Sequence, residues 1–456
     1  FLRARPVSVR DGRHPDRGPM TADESVERVD VLAPFRQFLS LRRDVLVLSL
    51  AMFAFSLAFQ MTSRYVPEYL RVLGAGAGVI GLYGSVGNLI GAVYPYPGGA
   101  LSDRVGSRVA LTGFAVVTTL GFGVWWLAPT LGALSLGGLV VPAYLWVFVG
   151  LFLAQTWKSF GIGATFAVVK QSVAPEHLAL GFASTEVFRR IGFLIGPLLA
   201  AAVLATAVGF RTGFRDILLV AVGFAVVATV AQHLLYDASE DSVGDEFAGV
   251  SQVAEDLRSL PATLRPLLVA DTFVRFANGM VYVFFVIVVT DFLSVGFTGF
   301  GVSLSPAAFF GFLLGVEMVV AIVTKVPASA LAERTGLKPV VGLGFLVYAV
   351  FPVLLINAPA DQWVLVALFA FSGLRFAGLP AHKALIVGPA ERDAGGRVTG
   401  TYYLVRNTIV VPSAALGGAV YAYSPQVAFS AATVVGLVGV GYFAVFGREF
   451  EAYAAG

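Results

Sequence analysis

The chain has 456 residues, of which 57% are hydrophobic and only 13% charged, with a net charge of +3. Soluble domains carry about 25% charged residues, and the mean hydropathy is +0.82, so a water-soluble globule is excluded and the bilayer is the expected solvent. The small positive balance gives no case for nucleic acid, and the absence of cysteine removes disulfides and thiol chemistry. Residues 1–30 are rich in Arg, Asp and Pro and have no apolar core. They read as disorder rather than as a signal peptide. The chain opens on Phe1, which reads as a fragment or a translated extension, with Met20 a candidate start. Val31, Leu32, Phe35, Phe38 and Leu39 then recur at helical spacing before Arg42 and Arg43, predicting a short interfacial helix.

A spanning helix needs roughly 20 apolar residues, and twelve such runs follow. The first six lie near 45–69, 77–97, 109–128, 139–169, 182–207 and 216–236. The second six lie near 266–290, 304–326, 339–357, 362–387, 398–421 and 426–446. They are numbered spans 1 to 12 below. The division is a cytoplasmic tail over 1–44, a six-helix bundle over 45–236, an acidic linker over 237–264, a second bundle over 265–447 and a tail over 448–456. Continuous apolar runs of this length exclude a transmembrane β-barrel. Basic residues gather in the loops on the side of both chain ends, including Arg104, Arg108, Lys325, Arg334, Lys338 and Arg448. Arg71, Arg211 and Arg215 face the other way. The positive-inside rule then puts both termini in the cytoplasm of a multi-pass plasma-membrane protein.

Two loops repeat. Residues 99–108, Gly-Ala-Leu-Ser-Asp-Arg-Val-Gly-Ser-Arg, echo residues 329–338, Ser-Ala-Leu-Ala-Glu-Arg-Thr-Gly-Leu-Lys, and Pro97 and Pro327 share the 230-residue offset. Lys158-x-x-Gly161 in span 4 answers Arg375-x-x-Gly378 in span 10. Glu176, Gly181 and Pro197 answer Glu391, Gly396 and Pro412, 215 residues on. Two six-helix halves in parallel repeat describe a transporter architecture.

Gly99, Asp103, Arg104, Gly106 and Arg108 resemble the signature loop between helices 2 and 3 of the major facilitator superfamily. Glu333, Arg334 and Gly336 resemble its weaker echo between helices 8 and 9. The resemblance covers about 45–447 and implies an all-α membrane protein of twelve transmembrane helices in two pseudo-symmetric bundles. It also implies that Asp103 helps latch the halves together. Span 5 carries Gly192, Gly196 and Pro197, similar to the helix 5 motif of the drug–proton antiporter branch, with Ala200 and Ala201 where that motif has paired glycines. The same glycines also read as a plain packing face.

Apart from Lys325 and Lys383 near span ends, seven of the 31 lysines and arginines fall inside the spans: Arg64, Lys158, Arg189, Arg190, Arg275, Arg375 and Arg406. Glu68, Glu186, Asp271 and Glu317 accompany them. Intramembrane charges face the bundle interior or a watery cavity. The resemblance makes spans 1, 4, 7 and 10 the cavity helices, so Arg64, Lys158, Arg275 and Arg375, with Trp157 and Phe376, are the candidate substrate residues. Asp271 and Arg275 are spaced to pair at i,i+4. Lys158 and Arg375 have no acid within a turn on their own helix and read as a floor for an anion, unless a carboxylate such as Glu317 compensates them. Glu317, with Asp271 second, is the candidate for proton coupling.

No phosphate-binding loop, His-rich metal cluster or nucleophile–base pair occurs, so neither a metal nor a cofactor is expected, and no enzyme activity. His382-Lys383 reads as an interfacial pair. The expected function is secondary active transport of a small-molecule solute by alternating access with protons, by a monomer whose other partners are membrane lipids. Export of an amphipathic, drug-like compound is favoured by aromatic bulk in the cavity spans (Phe53, Phe55, Phe59, Trp146, Trp157, Phe273, Phe376). Transport of an anion is the alternative, and a non-transporting receptor on the same fold the second.

Overall fold

The computed structural model describes residues 43–94, 101, 104–136, 139–159, 178–236, 261–388 and 395–449. The interfacial helix over 31–41, the acidic linker before Pro261, and Gly99 and Asp103 of the first repeat loop lie outside the described residues. Helical segments occupy all twelve predicted regions. Among the described residues, nine helices are long and apolar enough to cross a membrane. The protein is an all-α membrane protein.

Span 1 comprises Arg43–Thr62 and Val66–Val72, span 2 Ala77–Val93 and span 3 Ser107–Leu131. Span 4 contains Leu145–Ala154, span 5 Leu178–Thr206 and span 6 Phe210–Leu235. Span 7 starts as Arg265–Val281 and continues through tighter and wider turns to Phe292. Span 8 is Pro306–Val323, extended by Lys325–Thr335, and span 9 is Leu337–Ile356. Span 10 is Gln362–Gly373 and Leu379–Val387 around a 3-10 turn, Leu374–Phe376. Span 11 comprises Gly395–Val410 and Ser413–Tyr423, divided near Pro412, and span 12 is Pro425–Phe446.

Two features depart from the sequence reading. Strands β1 (Leu134–Leu136) and β2 (Leu139–Val141) pair antiparallel between spans 3 and 4, so span 4 becomes helical only at Leu145 and not at 139. Strands β3 (Phe297–Gly299) and β4 (Val302–Leu304) pair likewise between spans 7 and 8. Both hairpins are apolar runs that hydropathy cannot separate from helix. Gly301, with φ +75°, lets the second one turn.

The packing repeats as the sequence does. Span 1 packs on spans 5 and 6, and span 7 on spans 11 and 12. Span 3 packs on spans 4 and 6, and span 9 on spans 10 and 12. Between the halves, span 2 meets span 11 and span 5 meets span 8. Moving each span six places on, counted cyclically through twelve, turns one of these contacts into the other. Glycines set the approach: a Cβ on Gly418 would lie 2.7 Å from the Ala77 carbonyl and 2.8 Å from Gly81 Cα.

The repeat loops fold alike. Gly106 (φ +84°, ψ +151°) precedes span 3 and Gly336 (φ +91°, ψ +165°) precedes span 9. This backbone region is open essentially to glycine alone. Arg108 then donates to the His233 carbonyl at 2.6 and 2.9 Å, at the end of span 6. Lys338, its counterpart, donates to the Ala444 carbonyl at 3.0 Å, at the end of span 12. In both halves a cation satisfies a carbonyl of a helix's last turn, which has no partner within its own helix.

Candidate functional site

Span 10 bends where the charge is needed. Ser372-Gly373-Leu374-Arg375-Phe376 runs from α-helix into the 3-10 turn, and Pro380 restarts the helix beyond. Gly373 lies against span 8: a Cβ there would meet the Glu317 carbonyl at 2.6 Å. This approach carries Arg375 onto Glu317, Nη2 to Oε1 at 2.5 Å, with both side chains 2% exposed. Ser372 Oγ donates to the same oxygen at 2.5 Å. The guanidinium also lies 4.7 Å from the Phe376 ring centroid and 5.0 Å from that of Tyr348. Arg375 is therefore not an uncompensated cation facing the cavity, because a carboxylate from another helix neutralises it. Spacing along one helix carries no information about that partner.

A second cluster centres on Asp271, which is fully buried in span 7. Its Oδ1 accepts from Arg275 Nε at 3.2 Å. Its Oδ2 accepts from Arg406 Nη1 at 2.9 Å and from the Tyr402 hydroxyl at 3.2 Å. His382 Nε2 lies 3.3 Å from the same oxygen, at ion-pair distance but without hydrogen-bond geometry. The i,i+4 pair read from the sequence is thus one arm of a five-residue cluster from spans 7, 10 and 11. His382 is buried within it and is not interfacial. Arg275 Nη1 donates to the Tyr348 hydroxyl at 3.0 Å, and its guanidinium lies 4.7 Å from that ring. Tyr348 therefore touches the arginines of both clusters.

The cations of the first half stand differently. Among the described residues, no carboxylate lies within ion-pair distance of Arg64 or Lys158. Arg64 sits 4.3 Å over the Tyr282 ring of span 7. Lys158 is exposed and its Nζ lies 5.7 Å from the Phe59 ring of span 1. Trp157 beside it turns into the core, buried and stacked on Phe55 at 4.2 Å. Phe55 and Phe59 are buried as well, so much of the aromatic bulk expected in the cavity is packing.

A cavity of about 230 Å³ opens between the halves, with Gly84 and Asn88 of span 2 facing Arg275 and Asn278 of span 7 and Arg406 and Asn407 of span 11. At the end of span 1 remote from the chain termini, Arg71 Nη1 meets Asp291 of span 7 at 3.0 Å. Glu68 holds the same arginine at 2.6 Å. Tyr65 donates to the Ala307 carbonyl of span 8 at 3.1 Å. The described contacts thus close the halves on that side.

The repeat-loop residues divide. Arg104, Glu333 and Arg334 are helical and exposed. The amides of Leu337 and Lys338, which open span 9, donate to the Glu449 carboxylate at 3.0 and 2.8 Å. The sequence offered no local signal for this cap, 111 residues away. Gly192 and Gly196 press span 5 onto span 1: Cβ atoms there would meet Ser56 and Gln60 at 2.9 and 2.7 Å.

Known proteins agree with this architecture. The family model described as Major Facilitator Superfamily matches residues 2–141. An uncharacterized MFS-type transporter of Methanocaldococcus jannaschii is 21% identical over 399 residues, covering 87% of this chain and 93% of that protein. The nucleoside transporter NupG superposes with a TM-score of 0.67 at 11% identity, covering 90% of this chain and 99% of that one. A POT family transporter in complex with 5-aminolevulinic acid gives 0.69 at 12% identity, covering 89% and 96%. The fold is that of the major-facilitator transporters, and the chain is similar to them.

Proposed function

We propose that this major-facilitator-type transporter carries a small organic or inorganic anion across the membrane by alternating access, coupled to protons. One observation carries the reading: among the described residues, the five intramembrane cations Arg64, Lys158, Arg275, Arg375 and Arg406 have two carboxylates at ion-pair distance. Glu317 neutralises Arg375, and Asp271 is shared by Arg275 and Arg406. Arg64 and Lys158 have no carboxylate partner among the described residues. Unbalanced positive charge is costly in a low-dielectric interior, and an anionic solute relieves it through charge-assisted hydrogen bonds. Export of a hydrophobic drug-like compound has less support, because Phe55, Phe59 and Trp157 are committed to the core. Glu317 and Asp271 are the carboxylates that supply proton coupling in this reading, and both termini lie in the cytoplasm.

The test is flux into proteoliposomes of the full chain under an imposed pH gradient, with labelled succinate and phosphate against labelled tetraphenylphosphonium. Anion flux that falls at least tenfold in Lys158→Gln and Arg64→Gln is the expected result. Flux of the lipophilic cation alone would overturn the anion reading. Binding without flux of any probe would make the protein a receptor.

A further inference from the structure

We propose that the cleft between spans 2, 7 and 11 is the subsite that grips the anionic head of the solute. The proposal also assigns the solute's class, a small carboxylate or phosphate ester bearing a hydroxyl or amino group. It rests on the anion-transport reading and adds the place and the chemistry.

The cleft's polar wall is built by two guanidiniums tied to one buried carboxylate. Asp271 takes Arg275 Nε on one oxygen and Arg406 Nη1 on the other. Arg275 spends a further donor on Tyr348, and Arg406 spends two on Asn407 Oδ1 at 3.2 and 2.9 Å. A guanidinium carries five N–H donors. Both arginines therefore keep N–H groups without a protein partner among the described residues, on side chains 23% and 15% exposed. Two cations against one anion leave this wall net positive. The fork of a guanidinium matches the paired oxygens of carboxylate and phosphate. Asp271 orients both forks, and Tyr402 and His382 hold Asp271 from behind.

The opposite requirement comes from the carboxamides. Asn88, Asn278 and Asn407 line the same cleft, and Asn278 Oδ1 is buried without a hydrogen-bond partner. An unpaired buried acceptor costs about 1–3 kcal/mol, and a hydroxyl or ammonium on the solute would satisfy it. An aliphatic anion would leave it unpaired. The volume, about 230 Å³, falls below the 300–1,000 Å³ typical of pockets for drug-sized ligands. Gly84 and Gly279 let the cleft's walls close up: a Cβ at Gly84 would meet Ala414 and Val283 at 2.8 Å, and one at Gly279 would meet Ser413. The cleft is shared by both halves, so a solute held there senses their relative movement.

Calorimetric titration of the purified full chain with two matched pairs tests this: L-malate against succinate, and glycerol 3-phosphate against propyl phosphate. The hydroxylated member of at least one pair is expected to bind tenfold or more tightly. Asn278→Leu should erase that preference, bringing the two members of the pair within twofold of each other. Arg406→Gln should weaken both members at least tenfold, and Arg406→Lys, which keeps the charge and guards against misfolding, should restore part of the loss. Equal binding of both members, or binding indifferent to Arg406→Gln yet lost in Lys158→Gln, overturns the subsite and leaves anion transport standing. If none of the four probes binds while tetraphenylphosphonium does, both readings fall.

Discussion

Glu317 and Arg375, 58 residues apart, form an ion pair that joins spans 8 and 10, with Nη2 2.5 Å from Oε1 and both side chains sealed from solvent. Arg375 Nε has no hydrogen-bond partner. The pair therefore does not recover the full cost of dehydrating its charges. Removing one partner strands the other as a buried charge, at about 3–5 kcal/mol. Glu317→Gln and Arg375→Gln should each lower the thermal midpoint strongly in detergent, while Glu317→Leu combined with Arg375→Met should recover most of the loss. A Glu317→Gln protein as stable as the parent would show that the pair holds nothing. If the apolar double variant folds but no longer responds to a pH gradient, Glu317 has the proton-coupling role proposed above.

Arg71 and Asp291 tie span 1 to span 7 on the side remote from the chain ends, and both side chains are partly exposed, 37% and 53%. Such a pair contributes about 1 kcal/mol or less. Asp291→Asn should raise the population open on that side by up to about fivefold without unfolding the protein. The exchange Arg71→Asp with Asp291→Arg should restore part of the closure. The chain has no cysteine, so single introduced cysteines near the two side chains report accessibility to a thiol reagent without background. Unchanged labelling in Asp291→Asn would remove the gate role.

Spans 2 and 11 touch through Gly81 and Gly418 on that same side. Gly418→Val places carbon where the Ala77 carbonyl and Gly81 already lie, at 2.7–2.8 Å. The wedge should hold the halves apart there, raise cysteine labelling above that of Asp291→Asn, and abolish flux while the protein stays monodisperse. Normal flux would mean that the two helices need not close.

Gly106→Ala and Gly336→Ala test the duplicated turn. Each forces an L side chain into a backbone region that costs about 1–3 kcal/mol. Gly336→Ala adds a contact 2.7 Å from the Glu449 carboxylate that caps span 9. The midpoint should therefore fall in both, and further in Gly336→Ala. Glu449→Gln should reproduce that additional loss by weakening the cap, and an unchanged midpoint in Glu449→Gln would show that the tail does not hold span 9.

The twelve-region pattern, the duplication and the paired turn glycines were legible in the residues, because hydropathy and backbone freedom are local properties. Gly106 and Gly336 needed no neighbours to be read, and both adopt the conformation that only glycine tolerates. The two hairpins were not legible, since short apolar strands share the hydropathy of a helix. His382 gave no sign of its place, because a lone histidine beside a lysine carries no spacing.

Which charges are paired was decided by tertiary structure alone. Asp271 and Arg275 share a helix, and their spacing announced one contact. Arg406, Tyr402 and His382 reach the same carboxylate from other spans, as Glu317 reaches Arg375. Placing charge in the membrane is a local fact of composition, and its cost is known from the sequence. Its compensation depends on which helices touch and at what depth, and glycines such as Gly373 set that by allowing one backbone to approach another. The sequence therefore determined that this protein spans the membrane and keeps charge inside it. The packing of the spans decided which cations are paired and which, among the described residues, have no carboxylate at ion-pair distance.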